Sequence, residues 1–126
     1  MSGAKAKARK GVEKPYNSGR WSSARYWGWV RSGLRKMSMR WPPLNECLKN
    51  ARRPLAVKIG NQRWEYQCAM CKEWFARKQV ERDHIRPTGS LRSRRDVARF
   101  VATLFCELDN LRVLCKNCHE KRKEES

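Results

Sequence analysis

Apolar positions in this chain recur first at helical spacing and then at strand spacing. Between residues 22 and 41, Tyr26, Val30, Gly33, Leu34, Met37 and Trp41 fall at three- and four-residue steps, one face of a 3.6-period helix. Ser22 or Ser23 can cap its start, and Pro42-Pro43 stops it. Leu44, Cys47, Leu48 and Ala51 predict a second, short helix ending near Arg52-Arg53-Pro54. Alternation then takes over across residues 57–66, with Gly60-Asn61 as a hairpin turn. Residues 74–76 and 80–85 read as short strands around Arg77-Lys78-Gln79. A stripe of Val97, Phe100, Val101, Leu104, Phe105 and Leu108 predicts a helix over 93–108, with Ser93-Arg94-Arg95-Asp96 resembling a capping box. Residues 111–114 predict another strand, and from Cys118 the chain turns helical and basic. The mixture predicts an α+β fold.

Composition limits how that fold can hold itself together. With 126 residues, the chain supports one domain-sized unit with a modest core. Mean hydropathy is −0.91, so an extensive apolar interior is not expected, although six tryptophans partly offset this. Net charge is +18, from 30 Lys and Arg against 12 Asp and Glu. Folding does not ask for such an excess, because self-repulsion opposes compaction. A polyanionic partner accounts for it. No stretch approaches the ~18 apolar residues of a membrane span, and the first residues lack the apolar core of a secretory signal. Nucleic acid is therefore the expected partner and the cytoplasm the expected location. Residues 1–20 carry Lys5, Lys7, Arg9, Lys10, Lys14 and Arg20 among small residues. They predict a disordered basic arm that either attracts phosphates or simply solubilises.

The cysteines bring in metal. Cys68-Ala69-Met70-Cys71 and Cys115-Lys116-Asn117-Cys118 are two CxxC pairs, and together they can supply four thiolates to a tetrahedral zinc. The second pair lies far down the chain, so the metal would clamp the ends of the intervening segment together and add folding energy to a small core. Four cysteines leave no open coordination position, which makes this zinc structural rather than catalytic. Cys47 and Cys106 stand alone in apolar segments and read as small core hydrophobes.

Both histidines of the chain fall close to this cysteine frame, in Asp83-His84-Ile85-Arg86-Pro87 and in Cys118-His119, with Asn110 between. Phosphodiester hydrolysis needs a base that works near neutral pH and a cation that stabilises developing oxygen charge. Histidine suits the first task, and a carboxylate with a second imidazole suits the second. Asp83 and His84 are neighbours, however, and neighbours on a strand point to opposite faces. They share a site only if the strand ends or twists there. Taken singly, Asn110 reads as a turn residue, His119 as a spare zinc ligand or helix-start hydrogen-bonder, and His84 as structural.

Taken together, Cys68-x-x-Cys71, Asp83-His84-x-x-Pro87 and Asn110-Leu111-x-x-Leu114-Cys115-x-x-Cys118-His119 resemble an HNH endonuclease of the ββα-metal class. Small zinc-bearing HNH proteins of bacteriophages are the nearest likeness, and it covers residues 64–123. The resemblance implies a ββα-metal core with His84 as the general base. It implies Asp83 and His119 as ligands of a catalytic Mg²⁺ or Mn²⁺, and Asn110 as the residue that holds the loop and orients the base. Residues 1–63 lie outside the resemblance; with composition and periodicity the chain divides into the basic arm 1–20, a helical basic segment 21–56 as a candidate DNA-binding extension, and a zinc-stapled nuclease domain 57–126. Double-stranded DNA is the expected substrate, with Arg82, Arg86, Lys121 and Arg122 near the site and Arg31, Arg35 and Arg40 on the first helix as phosphate contacts. For those helix arginines a solvated face is an equal alternative. Two other functions stay open: a catalytically silent zinc-stabilised DNA-binding module, and an RNA-binding or RNA-cleaving protein whose Trp27, Trp29 and Trp41 stack on unpaired bases.

Overall fold

The computed structural model describes residues 12–125. Most of the expected basic arm, residues 1–11, lies outside them. Its last stretch is ordered: Tyr16 and Trp21 exchange backbone hydrogen bonds of 3.2 and 3.0 Å across a tight turn. The Tyr16 ring also stacks on Tyr26 at 3.9 Å, which holds this turn against the first helix.

Among the described residues there are four α-helices and two small antiparallel sheets. Helix α1 is Ser23–Ser38 and α2 is Pro42–Ala51. A three-stranded sheet follows, in the order β1 (Arg52–Ile59), β2 (Gln62–Gln67), β3 (Trp74–Phe75). Strand β4 (Val80–His84) pairs with β5 (Leu111–Cys115) across a long connection that contains α3 (Val97–Leu104). Helix α4, Lys116–Glu125, leaves directly from β5.

Helix α1 begins where the sequence indicates. Ser22 is extended, and its hydroxyl accepts the Arg25 N–H at 3.2 Å, satisfying one of the helix's orphan donors. The buried face is narrower than the periodicity implied. Trp27, Val30 and Leu34 pack on Leu91, Phe100 and Leu104, while Met37 stays exposed. Trp41 lies past the helix end and its indole N–H donates to the Cys106 carbonyl at 2.6 Å. Helix α1 ends at Ser38, a few residues before the prolines expected to stop it, and Pro42 and Pro43 open α2, where a missing N–H costs nothing. Leu44, Cys47 and Leu48 of α2 form the main core with Tyr66, Val80, Cys106, Leu111 and Val113. This confirms Cys47 and Cys106 as core residues.

Two elements depart from expectation. Strand β1 starts at Arg52, well before residue 57, and pairs Arg52 with Tyr66 and Pro54 with Trp64 before its register shifts. It therefore runs through the 56/57 boundary of the proposed division. Helix α3 covers only eight of the sixteen residues expected. The Asp96 carboxylate accepts the Arg92 N–H at 2.9 Å instead of closing a capping box, and residues Arg94–Asp96 form a 3₁₀ turn. At the other end the Leu104 carbonyl faces His84 and the Cys106 carbonyl takes the Trp41 indole. Side chains thus satisfy groups that a continuing helix would have bonded itself. No helix among the described residues is long and apolar enough to cross a membrane.

Candidate functional site

The four paired cysteines converge. Cys68 and Cys71 lie on the turn from β2 to β3, shaped by the Lys72 N–H bonding the Cys68 carbonyl at 3.0 Å with Lys72 at φ 67°. The Ala69 N–H donates to the Val113 carbonyl at 2.8 Å, which ties this turn to β5. Cys115 ends β5 and Cys118 sits in the first turn of α4. Their four sulfurs lie within 4.8 Å of one another, with Cys71 and Cys115 at 4.0 Å. A tetrahedron of ~2.3 Å metal–sulfur bonds has edges of roughly 3.8 Å, so the cluster fits one ion. Burial raises the Cys68 thiol, but backbone donors from residues 115, 71 and 70 outweigh it and bring the pKa down to about 6. Cys118 is pushed up to about 12 by burial and by the neighbouring thiols. An all-sulfur, closed set of this kind suits a soft structural metal.

Next to this cluster, Asp83 is buried in the β4–β5–α4 unit at 3% exposure. Its cross-strand partner is Arg112, whose Nε donates to Oδ2 at 3.0 Å. The Arg122 Nε stands 3.4 Å from the same oxygen. The other oxygen, Oδ1, faces His119 Nε2 at 3.5 Å. Two donors at that separation can both reach one divalent cation, since ligand bonds of ~2.1 Å span it. His119 lies one residue beyond Cys118 on α4, so the cysteine cluster fixes its backbone.

His84 follows on the last position of β4 and turns away from Asp83, as strand alternation requires. Its Nε2 lies 3.2 Å from the Leu104 carbonyl oxygen. A carbonyl only accepts, so Nε2 is the donor in this contact, and Nδ1 is the ring nitrogen left to act as an acceptor. Asn110 is buried and braces the chain just past His84. Its Oδ1 accepts the Arg86 N–H at 2.8 Å, its Nδ2 donates to the Arg86 carbonyl at 3.3 Å, and its own carbonyl accepts the Ile85 N–H at 2.8 Å. The structure therefore joins Asp83 with His119, and Asn110 with the segment after His84. It points the His84 ring toward the end of α3.

The expected phosphate contacts divide. Arg86 and Lys121 are exposed, as are Arg31, Arg35 and Arg40. Arg122 is engaged within the protein: besides Asp83 it bonds the carbonyls of His84 and Ile85 at 2.8 and 2.6 Å. Arg82 is half-buried on the core side of β4, where burial, then the charge of Arg77, lower its pKa. It faces Cys47, whose thiol is raised by burial against the opposing charge of Arg82. Neither is a free surface cation. Of the three tryptophans, Trp29 is 64% exposed, whereas Trp27 and Trp41 pack on the two cores.

Sequence reasoning missed Arg112, which only the β4–β5 register reveals. It also passed over Arg92, Arg94, Arg95 and Arg99, all exposed on the connection between the strands. Their signal was present: with Arg86 they make five arginines in fourteen residues. Compared with family models, curated proteins and solved structures, the chain finds no match.

Proposed function

We propose that the chain is a metal-dependent DNA endonuclease of the HNH type, stapled by a structural zinc. The observation that carries this reading is the β4–β5–α4 unit. It sets Asp83 Oδ1 and His119 Nε2 3.5 Å apart on one side of a strand that ends in His84. Zinc is the metal best matched to the four-cysteine cluster. A second cation, Mg²⁺ or Mn²⁺, held by Asp83 Oδ1 and His119, would supply the positive charge that a scissile phosphate and its leaving oxygen require.

The chain's own residues do the remaining work. His84 takes a proton from the attacking water at Nδ1, and the Leu104 carbonyl holds the tautomer that makes this possible. Asn110 fixes the backbone after His84, which orients the ring. Arg112 and Arg122 engage Asp83 Oδ2, leaving Oδ1 for the cation. Exposed arginines and Lys121 position the duplex through its phosphates.

A second reading, a zinc-stabilised DNA-binding module without catalysis, draws on two observations. Asp83 is already neutralised by two guanidinium groups, and the His84 ring is hydrogen-bonded away from Asp83. Plasmid nicking with Mg²⁺ or Mn²⁺, comparing the native protein with His84→Ala, separates the two. A general base contributes ~10²–10⁴-fold, so nicking should fall by at least two orders of magnitude while DNA binding persists. Two inactive proteins that both bind DNA would support the module instead. An RNA-directed function retains only Trp29 as an exposed stacking platform.

A further inference from the structure

Between β4 and α3, residues Thr88, Gly89, Ser90, Arg95, Asp96, Arg99 and Phe100 line a cavity of about 420 Å³. Two guanidinium groups, Arg95 and Arg99, stand four residues apart on one wall. Like charges at that spacing oppose helix formation. Among the described residues neither forms an ion pair. Beside the cavity, Arg35 of α1 places its Cζ 5.7 Å from the Phe100 ring centroid. The Arg35 Nη2 donates to Thr88 Oγ1 at 3.2 Å. That leaves the Thr88 hydroxyl proton free to donate into the cavity. The one carboxylate on the wall, Asp96, is partly occupied by the Arg92 N–H at 2.9 Å.

We propose that this cavity binds one backbone phosphate of the DNA strand, clamped by Arg95 and Arg99 with Thr88 and Ser90 as hydroxyl donors. The inference rests on the DNA reading above and extends it with a built subsite. Planar guanidinium groups match phosphate geometry bidentately, and an anion between Arg95 and Arg99 relieves their mutual repulsion. Thr88 lies four residues past His84, so at most ~14 Å of extended chain separates them. With ~3.4 Å of rise per nucleotide on one strand, the clamped phosphate belongs within about four nucleotides of the one that His84 addresses. Through its Arg35–Thr88 hydrogen bond, α1 positions one of the hydroxyls of the site.

The test is DNA affinity measured by fluorescence anisotropy with EDTA present, so that no cleavage intervenes. Arg95→Lys/Arg99→Lys keeps the charge and removes the bidentate fork. Loss of about 10-fold in affinity, at an unchanged salt slope, is expected for a built site. Arg95→Gln/Arg99→Gln should lower that slope by about 0.9, one phosphate's worth. Far-ultraviolet circular dichroism confirms folding, and Thr88→Val supplies an independent, milder variant. Native affinity in the folded lysine variant overturns the proposal. So does binding of inorganic phosphate at Arg95 and Arg99, followed by NMR, together with unaltered DNA affinity, since the site would then serve a free anion. Failure here with nicking intact spares the nuclease reading. Weakened binding without any nicking spares the phosphate site.

Discussion

Replacing Asp83 by Asn would leave two guanidinium groups, on Arg112 and Arg122, facing a neutral amide in a strand interior. Both arginines are about a quarter exposed, at 27% and 20%, so water screens part of that cost. A loss of about 1–3 kcal/mol is expected, below the figure for a fully buried pair. Chemical denaturation checks it. The informative contrast is Asn110→Ala, which leaves the charges untouched but removes both contacts to the Arg86 backbone. An unsatisfied buried N–H costs about 1–3 kcal/mol, so the two variants should destabilise similarly. They should differ in chemistry. Asp83→Asn should weaken Mn²⁺ binding, followed by paramagnetic broadening of His119 signals, while Asn110→Ala should bind Mn²⁺ normally and nick slowly. Equal Mn²⁺ binding by both would remove Asp83 from the proposed cation site.

At the level of elements, local patterning carried the sequence a long way. Ser22, the prolines at 42 and 43, Gly60 and the short strands on either side of the long connection lie where periodicity and turn chemistry predict. Patterning failed where distant groups intervene. The stripe through Leu108 looks helical to the end, but Trp41 and His84 claim carbonyls beyond and at the end of α3 from elsewhere in the chain. The pairing of Arg112 with Asp83 was invisible for the same reason, because register is a long-range property. The cysteine frame was legible because its spacing encodes the chemistry directly. The junction of α1 and α3 depends on Phe100, which is 1% exposed between Leu91, Leu104 and α1. Phe100→Ala should cost about 3–5 kcal/mol. It should also raise amide exchange in α1 and α3 before exchange rises in β4 and β5. Uniform loss of protection would mean the two cores unfold as one.

For the whole molecule, the question is what keeps α4 in place. Of its residues only Cys118 is buried, with His119 and Arg122 half-covered and the others described exposed. A ten-residue helix without an apolar face is marginal in water, so α4 is docked chiefly through the cysteine cluster and charge. One attachment is the four-cysteine cluster; others run from His119 and Arg122 to Asp83, and from Arg122 to the His84 and Ile85 carbonyls. A cysteine holds a metal as its thiolate, and burial and the neighbouring thiols push Cys118 toward the protonated form. Acidification therefore competes with the metal and loosens the helix. A strong chelator at neutral pH should release one zinc per chain and melt α4. The core of Leu44, Leu48, Tyr66, Val80 and Val113, which contains no metal ligand, should stay folded. Amide exchange followed by mass spectrometry would then show lost protection confined to residues 116–125 and the 68–72 turn. Cys118→Ser should reproduce that pattern with zinc present, and both should lose nicking even in excess Mg²⁺, because His119 leaves with the helix. Full protection of α4 in the metal-free protein would mean that Asp83 and Arg122 hold it alone, and the cysteines would then need another purpose.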